Sequence, residues 1–421
     1  MHPLNPLNPA LFTAQPQLAA ALAPFAHQQD DLLVGGKTPA QIAALLDAEV
    51  FYAYDRAAIT ARVRALRAAL PARVKLHYAV KANPYFPVVH WLASQVDGMD
   101  VASRRELVLA LQSGVDSTQI SFAGPGKTDA ELKAAIAAGC VVHLESAGEM
   151  RRLQALCLQA DASARVALRI NPEFELRASG MKMAGGAKAF GIDQAQIWDL
   201  LPELQTGPLQ LVGFHLYCGS QNLQADAILQ SQRQSLQLLA QLRPHCPQLQ
   251  FFNLGGGFGV PYFPADKALD LAAVGAGMQQ LFAEFADAVA GLEIILELGR
   301  YLVAHAGVYF SRVIDVKTSH EQQFVVTNGG LHHHLANSGN FGQVVRRNYP
   351  VVLANKLTLV PVAPVQVVGP LCTPLDILAD KVALPAAVPG DWFAVLQSGA
   401  YGASASPQGF LSHGVVAEVL L

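Results

Sequence analysis

From about Val74 onward, short apolar runs alternate with longer stretches rich in Ala, Leu and Gln. Eight runs of strand length follow in order: Val74–Val80, Gly98–Val101, Gln119–Ala123, Cys140–Leu144, Arg165–Ile170, Leu211–Tyr217, Leu249–Leu254 and Glu293–Leu298. Between them, segments such as Asp129–Ala138, Ala147–Gln159 and Ala225–Leu242 place Leu and Ala at helical spacing with few breakers. Eight such alternations predict an α/β fold whose parallel strands close into a (β/α)8 barrel. An open doubly wound sheet is the alternative, and the strand count argues against it.

After Arg300 the pattern changes. Val303–Lys317, Gln323–Thr327, Val360–Val368, Trp392–Gln397 and Val415–Leu421 are β-branched and aromatic, with turns between them. Helical periodicity is nearly absent. Two domains are therefore expected: the barrel over residues 50–300 and a mostly antiparallel β-domain over 301–421. Asp31–Gly36 also reads as a strand ahead of the barrel, so residues 28–48 are expected to contribute it to the C-terminal domain.

The polar and glycine residues interrupt these runs at one kind of place. Lys81, Asp100, Gly124, Arg169, His215, Gly255, Gly256, Gly257, Glu297 and Arg300 all fall at or just past the C-terminal end of an expected strand. In a (β/α)8 barrel, active-site groups converge at that end.

Composition narrows the partners. A chain of 421 residues that is 52% hydrophobic and 14% charged can bury a large core and is not disordered. Its net charge of −3, with both signs scattered, offers no nucleic-acid surface and no polybasic membrane patch. A small molecule is the expected partner. The five cysteines lack metal-site or redox spacing, which points to a reduced, cytoplasmic setting. Met1–Gln15 contains no Lys or Arg and does not read as a signal peptide, and Lys356, Pro361 and Pro364 break the longest apolar stretches. No membrane span is expected.

Several sites carry candidate chemistry. Lys81, in Tyr78-Ala-Val-Lys-Ala-Asn-Pro84, follows an apolar strand, where a desolvated amine can act as a Schiff-base nucleophile; alone it also fits a snorkelling surface lysine. Gly255-Gly-Gly-Phe-Gly259 suits a phosphate or a simple tight turn. Glu297 and Arg300 either pair structurally or serve a ring nitrogen and a phosphate. In His215-Leu-Tyr-Cys-Gly-Ser-Gln221, His215 suits stacking on a flat ring and Ser220 suits a phosphate, against the plainer reading of an interior histidine. Asp100 and Arg169 read as core ion-pair partners or as groups that position a ring. His332-His-His334 invites a metal, but consecutive imidazoles cannot all face one centre, and no metal site is expected.

Taken in order, these pieces resemble the fold-type III pyridoxal-phosphate-dependent decarboxylases, which include diaminopimelate, ornithine and arginine decarboxylases. The resemblance runs from Phe51-Tyr-Ala-Tyr-Asp55 through Tyr78–Pro84, Asp100–Ser103 with Glu106, Arg169–Pro172, Phe190–Ile192, His215–Gln221, Gly255–Gly259, Glu297–Arg300 and Gly369-Pro-Leu-Cys372 to Gly399-Ala-Tyr-Gly402. It implies pyridoxal 5′-phosphate as cofactor, with Lys81 holding it covalently, His215 stacking on its ring and Glu297 pairing with the pyridine nitrogen. Asp100, Arg169, Gly255 and Gly256 would complete the cofactor site, with Ser220, Gly257, Gly299, Arg300 and Tyr401 as phosphate ligands. Cys372 would protonate the product carbanion, reaching in from the second subunit of a homodimer. Glutamate at 297 favours decarboxylation over racemisation, because a charged pyridinium drains the carbanion.

The departures concern substrate. Cys372 is followed by Thr373, where diaminopimelate and ornithine enzymes carry an acid for the distal amine. Thr327–His334 replaces the usual Asp-containing run, and Ser338–Arg347 has no close counterpart there; its Arg346 and Arg347 suit an acidic substrate group or plain surface charge. With Ser179-Gly-Met-Lys-Met-Ala-Gly-Gly186, these features most resemble the pyridoxal-dependent decarboxylases associated with exosortase A systems. The expected activity is decarboxylation of an amino acid or an amino-acid conjugate. Diaminopimelate decarboxylase proper, a non-catalytic homologue and a racemase are the alternatives.

Overall fold

The structure is a computed structural model and describes residues 7, 9–174, 181–182, 185–341, 343 and 346–421. Parts of Met1–Gln15, Ser179–Gly186 and Ser338–Arg347 thus lie outside the described residues. The chain forms two compact units: one of residues 62–260 and 268–301, the other of residues 1–61, 261–267 and 302–421.

The first unit is the barrel. Its strands are β2 (Val74–Ala79), β3 (Gly98–Val101), β4 (Ile120–Phe122), β5 (Val141–Leu144), β6 (Ala164–Asn171), β7 (Leu209–His215), β8 (Phe251–Gly256) and β9 (Glu293–Leu298), numbered after β1 (Phe51–Tyr54) of the other unit. All neighbours pair parallel, and β5 pairs with β6 while β9 pairs with β2, so the sheet closes. Each expected strand is present within two residues of its expected ends.

Alternate residues point inward. Val141, Ala167, Val212, Phe251 and Ile295 form an apolar layer toward the N-terminal end of the strands. Gly213 is required there, because a Cβ would strike the Phe251 ring. Two residues further along β5, β6, β8 and β9 stand His143, Arg169, Asn253 and Glu297, all buried. The interior therefore turns from apolar to polar toward the C-terminal ends.

The loops leaving those ends are held by helix caps. Helices Arg104–Gln112, Asp129–Ala138 and Ala147–Gln159 start at Ser103, Thr128 and Ser146, whose hydroxyls accept the amides of Glu106, Glu131 and Glu149. The glutamates reach back to the amides of Ala102, Thr128 and Glu145. A Ser/Thr-x-x-Glu spacing that satisfies orphan helix amides also fixes the preceding loop.

The second unit is a mixed, mostly antiparallel sheet. Its strands are β10 (Gly307–Ser319), β11 (Gln322–Thr327), β12 (Val351–Leu353), β13 (Ala363–Val368), β14 (Ile377–Leu384), β15 (Trp392–Val395) and β16 (Ala417–Leu420), together with β1. The order is β12-β15-β10-β11-β13-β14, with β1 between β10 and β16. Two expectations need correction here. The Asp31–Leu33 segment adds no strand to this sheet; it pairs with Ala26–Gln28 in a separate hairpin, and Leu32 and Val34 pack into the core of the unit. The early strand that joins is β1, so residues 50–61 belong with the C-terminal half rather than the barrel. The reason is burial: all four β1 residues are buried, whereas Asp31–Leu33 offers one such side chain.

Candidate active site

Neighbouring strands bring the inward polar residues level. His215, the last residue of β7, is in register with Arg169 on β6 and Asn253 on β8, and Glu297 on β9 is in register with Gly256 and His77. Glu297 is the hub. Its Oε1 accepts Asn253 Nδ2 at 2.5 Å, and its Oε2 lies 3.3 Å from His215 Nε2. His215 Nδ1 in turn lies 2.9 Å from His143 Nδ1. The three groups His143, His215 and Glu297 lie close enough to suggest a metal cluster. The 2.9 Å contact between the two Nδ1 atoms is a hydrogen bond, however, and it uses the hydrogen of one nitrogen and the lone pair of the other that metal ligation would need.

Lys81 sits in a 3₁₀ turn directly after β2 with its side chain 43% exposed. Its ammonium lies 3.7 Å from Asp100 Oδ2 and 5.8 Å from the Tyr217 ring. Asp100 is buried at the end of β3 and also accepts Ser121 Oγ. Burial, then the charge of Glu297, push its pKa up to about 8 against the pull of Lys81. Glu297 goes the other way: burial opposes ionisation, but His215, His143 and Lys81 hold its carboxyl well below the usual range. Of the two acids, Glu297 keeps the charge.

Arg169 is paired with Glu145 at 2.7 Å, and its guanidinium lies 5.1 Å over Phe190. The glycine run leaves β8 against the loop that follows β7. Asn222 donates to the Gly257 carbonyl and Gly259 donates to the Asn222 carbonyl, which brings Gly257 beside Gly219 and Ser220. Gly257 has φ +86°, and any Cβ there would strike the Gly219 carbonyl. Gly299, after β9, would meet Ala82 Cβ at 2.8 Å, so it lets the Arg300 turn close on the Lys81 turn.

These features fit pyridoxal phosphate. A lysine amine at the mouth, a buried acid whose surroundings favour its ionised form, and a glycine turn that leaves backbone free of side chains come at the C-terminal ends of strands of one barrel. The residues that would hold it are Lys81, His215, Glu297, Gly257, Ser220, Gly299 and Arg300, with Asp100 and Arg169 flanking. Gly255 and Gly256 shape the turn: Gly256 abuts the Glu297 carbonyl and Gly255 the Leu216 carbonyl.

The remaining candidates stand on the other unit. Cys372 is exposed, while Cys140, Cys157, Cys218 and Cys246 are buried. Burial pushes the thiols of Cys140 and Cys246 up to about 12 and about 11. Thr373 is used by its own turn, its N–H donating to Leu371 and its hydroxyl accepting from Leu375. The loop is pinned by buried Asp376, which accepts the amides of Leu331 and Leu371. Arg346 spends donors on Ser338, Asn348 and Ile377, which a half-buried guanidinium requires, and Arg347 stacks 3.7 Å over Phe263. Tyr401 takes a left-handed φ of +54°. His332 and His333 pack ring against ring, with centroids 3.8 Å apart, but the three imidazoles take different partners: His333 reaches the Gly414 carbonyl, His334 reaches Ser398, and His332 packs against His413.

The sequence reading did not single out His77, His143, Glu145 or Asn253. Their signal was a polar residue at an inward strand position, as in Val141-Val-His-Leu-Glu145 and Phe251-Phe-Asn253, legible once the inward parity of each strand is known.

Residues 56–304 match the family model described as pyridoxal-dependent decarboxylase, pyridoxal binding domain. The chain is 36% identical over 386 residues to an L-glutamyl-[BtrI acyl-carrier protein] decarboxylase of Niallia circulans, with 88% of each chain covered. It is 29% identical over 375 residues to a 2-[(L-alanin-3-ylcarbamoyl)methyl]-2-hydroxybutanedioate decarboxylase of Staphylococcus aureus, covering 86% of this chain and 91% of that one. Among solved structures, diaminopimelate decarboxylase from Helicobacter pylori complexed with L-lysine superposes with a TM-score of 0.81 at 25% identity, covering 91% and 94%.

Proposed function

The chain belongs to the pyridoxal-dependent decarboxylases, and within that family we propose that it removes CO2 from an amino acid carried as a conjugate, using Lys81, Glu297 and Cys372. The coarser statement needs no proposal: it is a pyridoxal-phosphate-dependent carboxy-lyase for an amino acid or an amino-acid conjugate.

Bound at this site, the cofactor supplies a sink for the electron pair left when the carboxylate departs as CO2. Lys81 would hold it through the Nζ amine, which lies 3.7 Å from Asp100 Oδ2. Glu297, whose surroundings favour its ionised form, would keep a proton on the ring nitrogen. The glycine turn and Ser220 would anchor the phosphate by N–H and O–H donation. Cys372 donates the proton that replaces CO2. It does so as the partner subunit's Cys372, in a homodimer whose sites are shared. Its exposure leaves it available to a second chain. Five free thiols suit a reducing cytoplasm, and among the described residues no helix is long and apolar enough to cross a membrane.

One observation carries the conjugate reading. The residue after Cys372 is Thr373, uncharged and hydrogen-bonded within its own turn, so it offers no counter-charge to a distal ammonium. The Niallia relative is named for a glutamyl group on a carrier protein, and the staphylococcal one for an alanine unit joined through a carbamoyl group. Diaminopimelate decarboxylation is the second reading, favoured by the Helicobacter pylori structure.

The deciding experiment is a CO2-release screen with purified enzyme and added cofactor. Carrier-linked or citrate-linked amino acids are expected to react at least ~10-fold faster than free diamino acids, the discrimination one unmatched buried charge provides. Lysine formed from meso-diaminopimelate at a comparable kcat/KM would overturn the conjugate reading and leave decarboxylation standing.

A further inference from the structure

We infer that His143 is a positioning residue: it donates a hydrogen bond that fixes the tautomer of His215, and it links that imidazole to a polar cavity at the N-terminal end of the barrel. The inference rests on the reading above only in that His215 and Glu297 face the cofactor.

The argument starts from the hydrogen that each nitrogen must carry. His215 Nε2 lies 3.3 Å from Glu297 Oε2. A bare nitrogen there would set its lone pair against an ionised oxygen, so Nε2 carries the hydrogen. In a neutral imidazole Nδ1 is then an acceptor. The hydrogen in the 2.9 Å contact between the two Nδ1 atoms therefore belongs to His143. One carboxylate thus dictates the tautomers of two rings in series.

His143 must then keep a bare Nε2, and that atom is buried without a protein partner. It lines a cavity of about 40 Å³ together with His77, Ser121 and Asn253. Both ring nitrogens of His77 are likewise buried without a protein partner. The space suits roughly one water molecule, and the unpartnered nitrogens supply the polar contacts such a water requires. Arg165 spans the rim of this end, donating to the Thr118 carbonyl and to Gln250 Oε1. The charged groups facing His143 are Lys127, on its carbonyl, Arg169 and Glu297, beside the His215 ring. Burial first, with the charges of Lys127 and Arg169 beside it, disfavours a charge on His143, so it acts as a neutral donor.

The test separates donor from bulk. His143→Asn keeps an amide N–H close to the position of Nδ1; His143→Leu keeps none. In full-length chain labelled with ¹⁵N on histidine and freed of cofactor, His215 is expected as the Nε2–H tautomer in the wild type and His143→Asn, and as a mixture in His143→Leu. In the loaded enzyme, His143→Leu should lower kcat about tenfold, the worth of one hydrogen bond, with KM little changed. It should also displace the pH midpoint of the cofactor's visible absorbance, and His143→Asn should restore both. An Nδ1–H tautomer at His215 in the wild type overturns the inference, whatever the variants do. So does a folded His143→Leu that matches wild type, or a folded His143→Asn as impaired as His143→Leu. Borohydride trapping on Lys81 is scored in parallel, and its failure would strike the cofactor site and not the tautomer.

Discussion

Glu145 Oε1 receives Arg169 Nη1 and the amide of Gly124, each at 2.7 Å, while its Oε2 receives the amide of Gly191 at 2.8 Å. One buried carboxylate therefore ties together the chain after β4, the end of β5, and the strand and loop of β6. Replacing it with a neutral amide leaves the Arg169 guanidinium buried and unpaired. Glu145→Gln is expected to cost about 3 kcal/mol, or roughly 6–12 °C in Tm for a unit of this size. Thermal denaturation checks this; an unchanged Tm would mean that Arg169 finds another partner.

Lys81→Ala is expected to lose the cofactor adduct that borohydride traps in the wild type. Peptide mapping of the reduced protein checks the attachment point. An adduct on any other lysine would move the site.

Glu297→Gln keeps the shape of the hub and removes its charge. With no ionised acid to hold a proton on the ring nitrogen, kcat is expected to fall roughly 100-fold, within the range a positioned charge contributes. Cofactor affinity, followed by fluorescence, should change far less. Equal losses in both would make Glu297 a binding group only.

Lys81→Ala and Cys372→Ala should each be inactive alone. Mixed and allowed to exchange subunits, they should recover about a quarter of wild-type activity, because half the dimers are mixed and each has one intact shared site. No recovery in a verified mixed dimer would place both residues in one subunit's site.

Acid sensitivity follows from several buried imidazoles, of which His77 and His334 serve as examples. Burial lowers His77 from its ordinary 6.5 to about 4 and His334 to about 3. Between those values and 6.5, the unfolded chain binds protons that the fold excludes. Stability should therefore be full above pH 6.5 and decline as pH falls, by up to about 1.4 kcal/mol per pH unit for each imidazole. Denaturant midpoints at pH 7 and pH 5 measure it, and His334→Gln should lessen the decline by its own share. A profile already flat in the wild type would mean that these rings take up protons in the folded state.

Much of this molecule was legible before any coordinates. The eight barrel strands were readable because a strand buried on both faces needs an unbroken apolar run, and the residues at their ends stood out because they broke it. Asn253 and His143 were not singled out, because a polar residue inside a strand is informative only when its inward parity is known. Ile377–Leu384 escaped for a local reason: Asp380 and Lys381, the latter at φ +49°, interrupt its hydrophobic run at a bulge. Asp31–Gly36 misled for the opposite reason: it is strand-like in pattern and buries Leu32 and Val34, but only Asp31–Leu33 forms a strand, and that strand pairs within its own hairpin.

The order and spacing of apolar runs, breakers and glycines were by themselves enough to specify a closed parallel barrel, a β-rich second unit and a lysine, a glutamate and a glycine turn at strand ends. Those are properties of local chemistry and periodicity. Only tertiary structure decided that β1 crosses into the second unit, that their surroundings push Asp100 and Glu297 in opposite directions, and that His143 reaches His215. Each depends on distance and burial between residues remote in the chain, and charge and hydrogen-bond energies are set by those quantities.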